Sequence, residues 1–192
     1  MDLMEATNIL MREHELILRG VAVLERMAAR AQSGPGVPAA DAEAIIDFIR
    51  KFADGCHHAK EEGVLFPAME AAGMPREGGP IAVMLAEHVQ GRAAVAMMAG
   101  AVANFATEAS AQQVFARGGT AYAALLTHHI HKENNILFRM ADNMIGPDRD
   151  AELVRAYDEH EARVTGPGEH ERFHRVIEEL ERAYPLSPSF PS

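Results

Sequence analysis

Apolar residues recur at every third or fourth position along most of this chain. The first of these series is formed by Leu10, Ile17, Val21, Leu24 and Ala28. This spacing places the apolar side chains on one face of an α-helix. No segment shows the strict alternation of apolar and polar residues that is typical of β-strands. The sequence therefore predicts an all-α fold.

Breaks between the apolar series predict four long helices. The segment SGPGVPAA ends the first helix, and Asp41 is a suitable N-cap for the second. Pro67 is expected to kink or end the second helix, and Pro80 is well placed as the first residue of the third. In the fourth helix an interruption is possible at Gly118 and Gly119. The predicted helices span about 7–31, 41 to the loop at 73–79, 80–106, and a fourth span that ends near 144.

Four long amphipathic helices with short connections are typical of an antiparallel four-helix bundle, which we assign to residues 1–145. Residues 146–184 are predicted to form a helical extension that packs on the bundle, with Phe173 and Ile177 on its apolar face. The proline-rich residues 185–192 carry no helical signal and are predicted to be a flexible tail.

The chain contains an internal repeat. HHAKEEGVLF at 57–66 and HIHKENNILF at 129–138 share five identical positions. The pair EH at 13–14 recurs at 87–88, at nearly the same separation along the chain. Each copy therefore combines an EH on one helix with an HxxxE on the next. This pattern predicts two helical hairpins that are related by a pseudo-twofold axis.

Polar side chains in the repeated segments fall at positions that face the core. His57 and Glu61 lie four residues apart within the apolar series of the second helix, and His129 and Glu133 do so in the fourth. A buried carboxylate without a partner costs several kcal/mol, and no lysine or arginine lies nearby on the same helix face. A metal cation is the simplest compensation. The apolar residues of these two series are Ile46, Ile49, Ala53, Val64 and Ala68 in the second helix, and Tyr122, Leu126, Ile136 and Met140 in the fourth.

The first and third helices also direct a histidine toward the core. His14 has Leu10 and Ile17 as neighbours on its helix face, and His88 has Met84. Four imidazoles and two carboxylates that are able to bridge suit a pair of divalent or trivalent first-row metal ions. Because the residues come from a repeat, the two metals are predicted to have nearly equivalent surroundings.

The paired HxxxE segments that end in LF, together with the EH on each preceding helix, resemble the hemerythrin-like (HHE cation-binding) family over about residues 7–145. This resemblance implies a non-heme di-iron centre inside a four-helix bundle. It further implies that both glutamates bridge the two iron ions, which an oxo or hydroxo group also joins. Carried over residue by residue, the resemblance implies these metal ligands: His14, His57, Glu61, His88, His129 and Glu133.

The sequence departs from the pattern of the oxygen-carrying members of that family. Those proteins place two histidines four residues apart on the third helix, and they end with HxxxxD on the fourth. Here Arg92 stands four residues after His88, and Asn134 stands five residues after His129. The symmetrical set of four histidines and two glutamates is more similar to the di-iron proteins that repair damaged iron centres and handle nitric oxide.

Two classes of function remain open at this point. In the first, the di-iron centre binds or reacts with oxygen, nitric oxide or peroxide, and an unknown reductant supports turnover as a peroxide or nitric oxide reductase. In the second, the chain stores or senses iron, or holds metal structurally, without turnover. Tyr122, about two turns before His129 on the same face, is a candidate for an electron or proton route.

Several other polar residues have open roles. His58 is expected to point away from the core, yet it is the best candidate for an additional ligand or a hydrogen-bonding neighbour of one. His170 and His174 are four residues apart, but packing or capping is favoured over a metal pair. Glu13, Glu62 and Glu87 could bond to ligating imidazoles or simply form a charged outer face. His128 and His131 are expected on other helix faces.

Composition and the lengths of the apolar runs exclude several kinds of partner and site. The 28 acidic side chains exceed the 18 basic ones, and the net charge of -10 opposes binding to nucleic acid. The single cysteine, Cys56, excludes an internal disulfide and a zinc site made of several thiolates. No apolar run reaches the roughly 18 residues that a membrane helix needs, and the N-terminus does not resemble a signal peptide. The sequence therefore predicts a cytoplasmic protein without a membrane or nucleic-acid partner.

Overall fold

A computed structural model describes residues 4–164, 166 and 168–185. Throughout these residues the regular secondary structure is helical, and four helical runs form a bundle, which confirms the predicted all-α architecture. The runs are α1 (Glu5–Ser33); α2 (Ala39–Phe48) with π1 (Ile49–His58), π2 (Glu61–Leu65) and α3 (Phe66–Ala71); α4 (Pro80–Val102); and α5 (Ala111–Lys132) with π3 (Glu133–Leu137) and α6 (Phe138–Ile145).

The helix boundaries follow the sequence signals in part. Helix α4 begins at Pro80, as predicted, but it ends at Val102 instead of near residue 106. The second run begins at Ala39, so that Asp41 lies in its first turn and is not its N-cap. Instead, the Asp41 carboxylate accepts a hydrogen bond of 2.6 Å from the Tyr184 hydroxyl.

The second run does not end at Pro67, and the fourth is not interrupted at its paired glycines. Pro67 lies in the first turn of α3, directly after π2, where a proline is tolerated, and the helical run continues. Gly118 and Gly119 lie inside the uninterrupted α5. A Cβ atom at Gly118 would lie 2.8 Å from Cγ of Met98, so this glycine lets α4 and α5 approach closely.

Three π-helical segments change which residues face the core. In a π turn the backbone N–H bonds to the carbonyl five residues back instead of four, which shifts the inward face by a residue. The sequence predicted that Ile136 points inward, but this residue in π3 is 54% exposed, and Leu137 is buried in its place. In π2, likewise, Val64 is half-buried and Leu65 is fully buried. The regular helical period therefore does not carry across these segments.

Two further helices, α7 (Asp150–Val164) and α8 (Glu169–Ala183), pack against the bundle. Tyr157 of α7 joins the core around Phe66 and Phe138, and Phe173 of α8 joins the core around Phe48. The predicted tail lies outside the described residues, apart from Pro185. None of the described helices is long and apolar enough to cross a membrane.

Candidate metal centre

The six predicted ligands meet in the interior of the bundle, where all of them are buried. Their ligating atoms form two groups, in each of which the atoms lie within 4.8 Å of one another, and Glu61 belongs to both. The first group contains His14, His57, Glu61 and Glu133, and the second contains His58, Glu61, His88 and His129.

Each of the two glutamates reaches both groups. Glu61 places Oε1 3.5 Å from Nε2 of His57 and Oε2 3.5 Å from Nε2 of His88. Glu133 places Oε2 3.3 Å from Nε2 of His14 and Oε1 3.0 Å from Nε2 of His129. Each carboxylate therefore presents one oxygen to a histidine of the first group and the other oxygen to a histidine of the second.

The donor atoms of this centre are largely without hydrogen bonds. Within the described part of the chain, all four carboxylate oxygens of Glu61 and Glu133 and Nε2 of His14 are buried and have no hydrogen-bond partner. Burial, followed by the charge of Glu133, raises the pKa of Glu61 well above its usual range. Two ionised carboxylates in such a site need a cation, so this donor set fits metal ions.

In each of four histidines, a hydrogen bond at the ring nitrogen Nδ1 orients the ring. Because a carboxylate or amide oxygen accepts here, we assign the proton to Nδ1 in each ring, which leaves the Nε2 lone pair directed at the centre. The bonds from Nδ1 are 3.0 Å from His57 to Glu13, 2.8 Å from His129 to Glu87, 2.7 Å from His88 to Glu62, and 2.7 Å from His14 to Asn134.

Two lysines bond to two of the carboxylates that orient the histidines. Lys60 bonds to Glu13, and Lys132 bonds to Glu87. Although burial opposes ionisation, hydrogen bonds and charges from His57 and Lys60 lower the pKa of Glu13 to about 2. Lys60 is completely buried, a feature that the sequence reasoning did not predict.

A third group of potential ligands lies beside Lys60. It comprises Glu13, Cys56, Glu161 and His170. The Lys60 ammonium bonds to Glu13, and it also lies 3.1 Å from Oε2 of Glu161. A lysine thus already supplies positive charge to this group. His170 contacts Glu161 and Cys56, whereas His174 is exposed, so the two do not form a metal pair.

The centre has the pseudo-twofold relation that the repeat predicts. Glu62 and Asn134 occupy the same position of the two repeated segments, and they hold equivalent histidines. Phe66 and Phe138 correspond in the same way. Phe66 stacks on the ring of His88 at a centroid distance of 6.1 Å, and Phe138 stacks on His14 at 5.5 Å. The departure at Asn134 therefore leaves the orienting hydrogen bond in place.

His58 breaks this symmetry. The sequence predicted that it points to another helix face, but its side chain is buried, and its ring stacks on His88 with centroids 3.9 Å apart. Nδ1 of His58 lies 3.4 Å from Oδ1 of Asp54. The expectation fails because π1 turns the chain more gradually than an α-helix, so that His57 and His58 both reach the centre. The second group thus contains three histidines, and the first contains two.

The other neighbouring histidines lie outside the centre, as predicted. His128 and His131 are both exposed. Nδ1 of His128 bonds to the carbonyl oxygen of Ala124 at 2.7 Å. Neither residue belongs to a group of potential ligands within the described chain.

Helix α7 contributes a residue near the centre that the sequence analysis did not single out. The Tyr157 side chain is 1% exposed, and its hydroxyl has no hydrogen-bond partner among the described residues. Burial, followed by the charges of Glu61 and Glu13, raises the pKa of Tyr157 well above its usual range. The apolar spacing of the extension predicts a core position, but it gives no signal that the hydroxyl lies near the carboxylates.

The fold and this site define a helical bundle with a buried histidine and glutamate centre for metal cations. The profile of the Hemerythrin HHE cation binding domain matches residues 5–141. The chain therefore belongs to the hemerythrin HHE cation-binding family.

Three relatives share detectable similarity with nearly the whole chain. One is from Mycobacterium bovis and two are from strains of Mycobacterium tuberculosis, and all are described as uncharacterized proteins. Each is 24% identical over 191 residues, which covers 97% of this chain and 74% of the relative. No solved structure matches the chain significantly.

Proposed function

We propose that this chain binds two iron ions, one at each histidine group, and uses them to bind or react with a small ligand such as oxygen, nitric oxide or peroxide. The observation that carries the proposal is the disposition of Glu61 and Glu133. Each directs its two oxygens at different histidine groups, and none of these oxygens accepts a hydrogen bond from the described chain. This is the arrangement expected of carboxylates that are shared by two cations.

The proposed ligand set contains one residue more than the sequence predicted. His14 and His57 serve the first position, and His58, His88 and His129 serve the second. With nitrogen and oxygen donors, the set suits first-row metals such as iron. The unequal number of histidines makes the two positions chemically different.

Two of the proposed histidine ligands are in the neutral form that binds metal even without metal present. Burial, followed by the charge of His14, lowers the pKa of His57 to about 4, and burial lowers the pKa of His58 to about 3. Both imidazoles are therefore neutral at physiological pH, which is the form that binds metal. Outer partners such as Glu13 and Glu87 fix the ring orientations.

When bound, a pair of iron ions would supply the redox chemistry for a small ligand, whereas the chain would supply orientation and a site shielded from water. The shielding follows from the burial of the ligand residues, none of which is more than 5% exposed. Tyr122 stays a candidate for an electron or proton route, since it lines the same cavity as His129.

Metal analysis tests this proposal directly. The iron-reconstituted chain should contain about two irons per molecule, and His57→Ala and His129→Ala should each lower that content. His128→Ala is the matched control, because this exposed ring lies next to His129 in sequence but outside the centre. An iron content of about one or less in the unsubstituted chain would overturn the proposal. Loss of iron in His128→Ala but not in His129→Ala would overturn the assignment of ligands.

A further inference from the structure

A cavity of about 180 Å³ lies directly against the second histidine group. His58, His88 and His129 line the cavity, which lies between π1, α4 and α5. Ile49, Val95 and Leu126 are among the apolar side chains of its wall. The cavity is therefore a space with apolar walls that borders the three histidines of the second group.

The internal repeat relates this space to a filled region in the other half of the bundle. Ile17 and Gly91 are equivalent in the repeat, because each follows the histidine of its EH pair by three positions. Ile17 is buried and helps to fill the core in its half, whereas Gly91 lines the cavity and has no side chain to fill it. The cavity thus lies on the same side as His58, which also distinguishes the two halves.

A Cβ atom at position 91 would not clash with its neighbours. A Cβ atom there would lie 3.5 Å from Cε2 of Tyr122, which is ordinary van der Waals contact. The backbone at Gly91 has no positive φ that would require glycine. Neither the backbone conformation nor the contacts of a Cβ atom require glycine at this position. The absence of a side chain at Gly91 leaves part of the cavity volume unfilled.

The volume and the lining indicate the kind of molecule that fits. An apolar cavity of about 150 Å³ in another protein stays dry and binds benzene, whereas the share of one water molecule in liquid volume is about 30 Å³. A cavity of 180 Å³ is therefore larger than oxygen or nitric oxide requires. Arg92 lies at the cavity, but its guanidinium bonds to Asp54 at 2.8 Å and to Glu62 at 2.7 Å. These ion pairs already satisfy the charge of Arg92, and Arg50, which also lines the cavity, is exposed to solvent.

We propose that the cavity binds a small uncharged organic molecule, about the size of one aromatic ring, beside the second histidine group. The proposal rests on the proposed function only in placing a metal next to the bound molecule. The occupant would be held by burial of its apolar surface, as is usual for ligand cavities of this kind. The position of the cavity would bring that molecule within reach of whatever reaction the metal centre supports.

Fluorobenzene, observed by ¹⁹F nuclear magnetic resonance, is a suitable probe. It should bind saturably to the full chain in both the iron-loaded and the chelated forms. Gly91→Ile, which introduces the side chain found at the equivalent position 17, should weaken binding at least about 10-fold because it fills the cavity. Gly100→Ile on the same helix is the matched control, since a Cβ atom there meets nothing within 4 Å and the position is exposed.

A second variant controls for an effect of Gly91→Ile on folding. Ala96 also lines the cavity but is exposed, so Ala96→Leu should weaken fluorobenzene binding without disturbing the core. Wild-type affinity in both cavity variants, or no saturable binding to the unsubstituted chain, would overturn the inference. Tighter binding of 4-fluorobenzoate than of fluorobenzene would overturn the assignment of an uncharged ligand.

The same measurement separates this inference from the proposed function. If iron lies at the second group, the resonance of the bound probe should broaden further in the iron-loaded form than in the chelated form. If no metal binds there, the two forms should give identical spectra, while the dependence on Gly91 persists. If only the cavity inference fails, iron content is normal and saturable probe binding is absent.

Discussion

His58 and Ile130 occupy equivalent positions in the two halves of the bundle, and both are buried, at 5% and 2% exposure. Each directly follows the first histidine of its repeated segment, His57 in one copy and His129 in the other. One half of the centre therefore has an additional imidazole where the other half has an aliphatic side chain. Because the remaining ligands repeat, this single exchange accounts for the difference in histidine number between the two groups.

Restoring the symmetry at position 58 should weaken one metal position. His58→Ile introduces the residue of the equivalent position 130 and removes one nitrogen donor from the second group. When the iron-loaded variant is dialysed against a chelator, it should lose about half of its iron under conditions in which the unsubstituted chain keeps all of it. Elemental analysis measures this loss. His128→Ile is the control and should keep its iron, because His128 is exposed and bonds to the backbone carbonyl of Ala124. Full retention of iron in His58→Ile would show that His58 is not a ligand.

The sequence was sufficient to predict the bundle and the convergence of six residues, because these depend on the helical period and on the repeat. It could not predict the position of His58, since the period assumes α-helical hydrogen bonding and the chain forms π1 at this point. The same assumption misplaced Ile136, which lies in π3. A π turn depends on how the whole bundle packs around the centre, and no local pattern in residues 49–58 reports that packing.

The helical period also does not predict which side chains of different helices contact one another. The ammonium of Lys60, for example, bonds to Glu13 of the preceding helical run, and spacing along one helix does not report such a contact. Tyr157 comes from a helix outside the repeated part, so its approach to the centre depends on how α7 docks. The hydrogen bonds from histidines to Glu13, Glu62 and Glu87 were foreseen as one of two alternatives, and the structure contains all three.

Glu61→Gln should stabilise the metal-free chain, and the effect should depend on pH. Burial and the charge of Glu133 raise the pKa of Glu61, so the native state holds a proton that the unfolded chain releases above about pH 4.5. The free energy of unfolding therefore falls as the pH rises above this value, and the amide should remove that loss. Denaturant unfolding of the chelated protein should show little difference near pH 4 and a growing advantage of Glu61→Gln toward neutral pH.

The adjacent residue provides a control of opposite sign. Hydrogen bonds to Glu62 from His88 first and from Arg92 lower its pKa to about 2. A lowered pKa means that this carboxylate stabilises the native state above about pH 4.5 and that the contribution is lost as the pH falls toward 2. Glu62→Gln should therefore destabilise the chain at neutral pH. If both glutamine variants changed stability in the same direction, the assigned environments of the two carboxylates would be wrong.

Tyr157→Phe should also stabilise the metal-free chain. The buried hydroxyl has no hydrogen-bond partner among the described residues, so its removal relieves the cost of an unsatisfied polar group, about 1 kcal/mol. Tyr184→Phe is the contrasting variant, because the Tyr184 hydroxyl donates a 2.6 Å hydrogen bond to Asp41. Its removal should destabilise the chain by about 1 kcal/mol. Chemical denaturation of the two chelated variants measures both changes, and a loss of stability in Tyr157→Phe would indicate a partner for its hydroxyl.

Lys60→Met should destabilise the chain much more than Lys132→Met does, although the two lysines are equivalent in the repeat. The Lys60 side chain is 0% exposed and that of Lys132 is 34% exposed. Breaking a buried ion pair leaves an uncompensated charge and costs about 3 kcal/mol or more, whereas a partly exposed pair contributes about 1 kcal/mol or less. The buried carboxylate left behind in Lys60→Met is Glu13, which also orients His57, so this variant should bind iron more weakly at the first group. Equal losses of unfolding free energy in the two variants would mean that burial does not distinguish the pairs. The double variant Glu13→Gln with Lys60→Met should recover part of the stability, because neither a buried charge nor its unpaired partner remains.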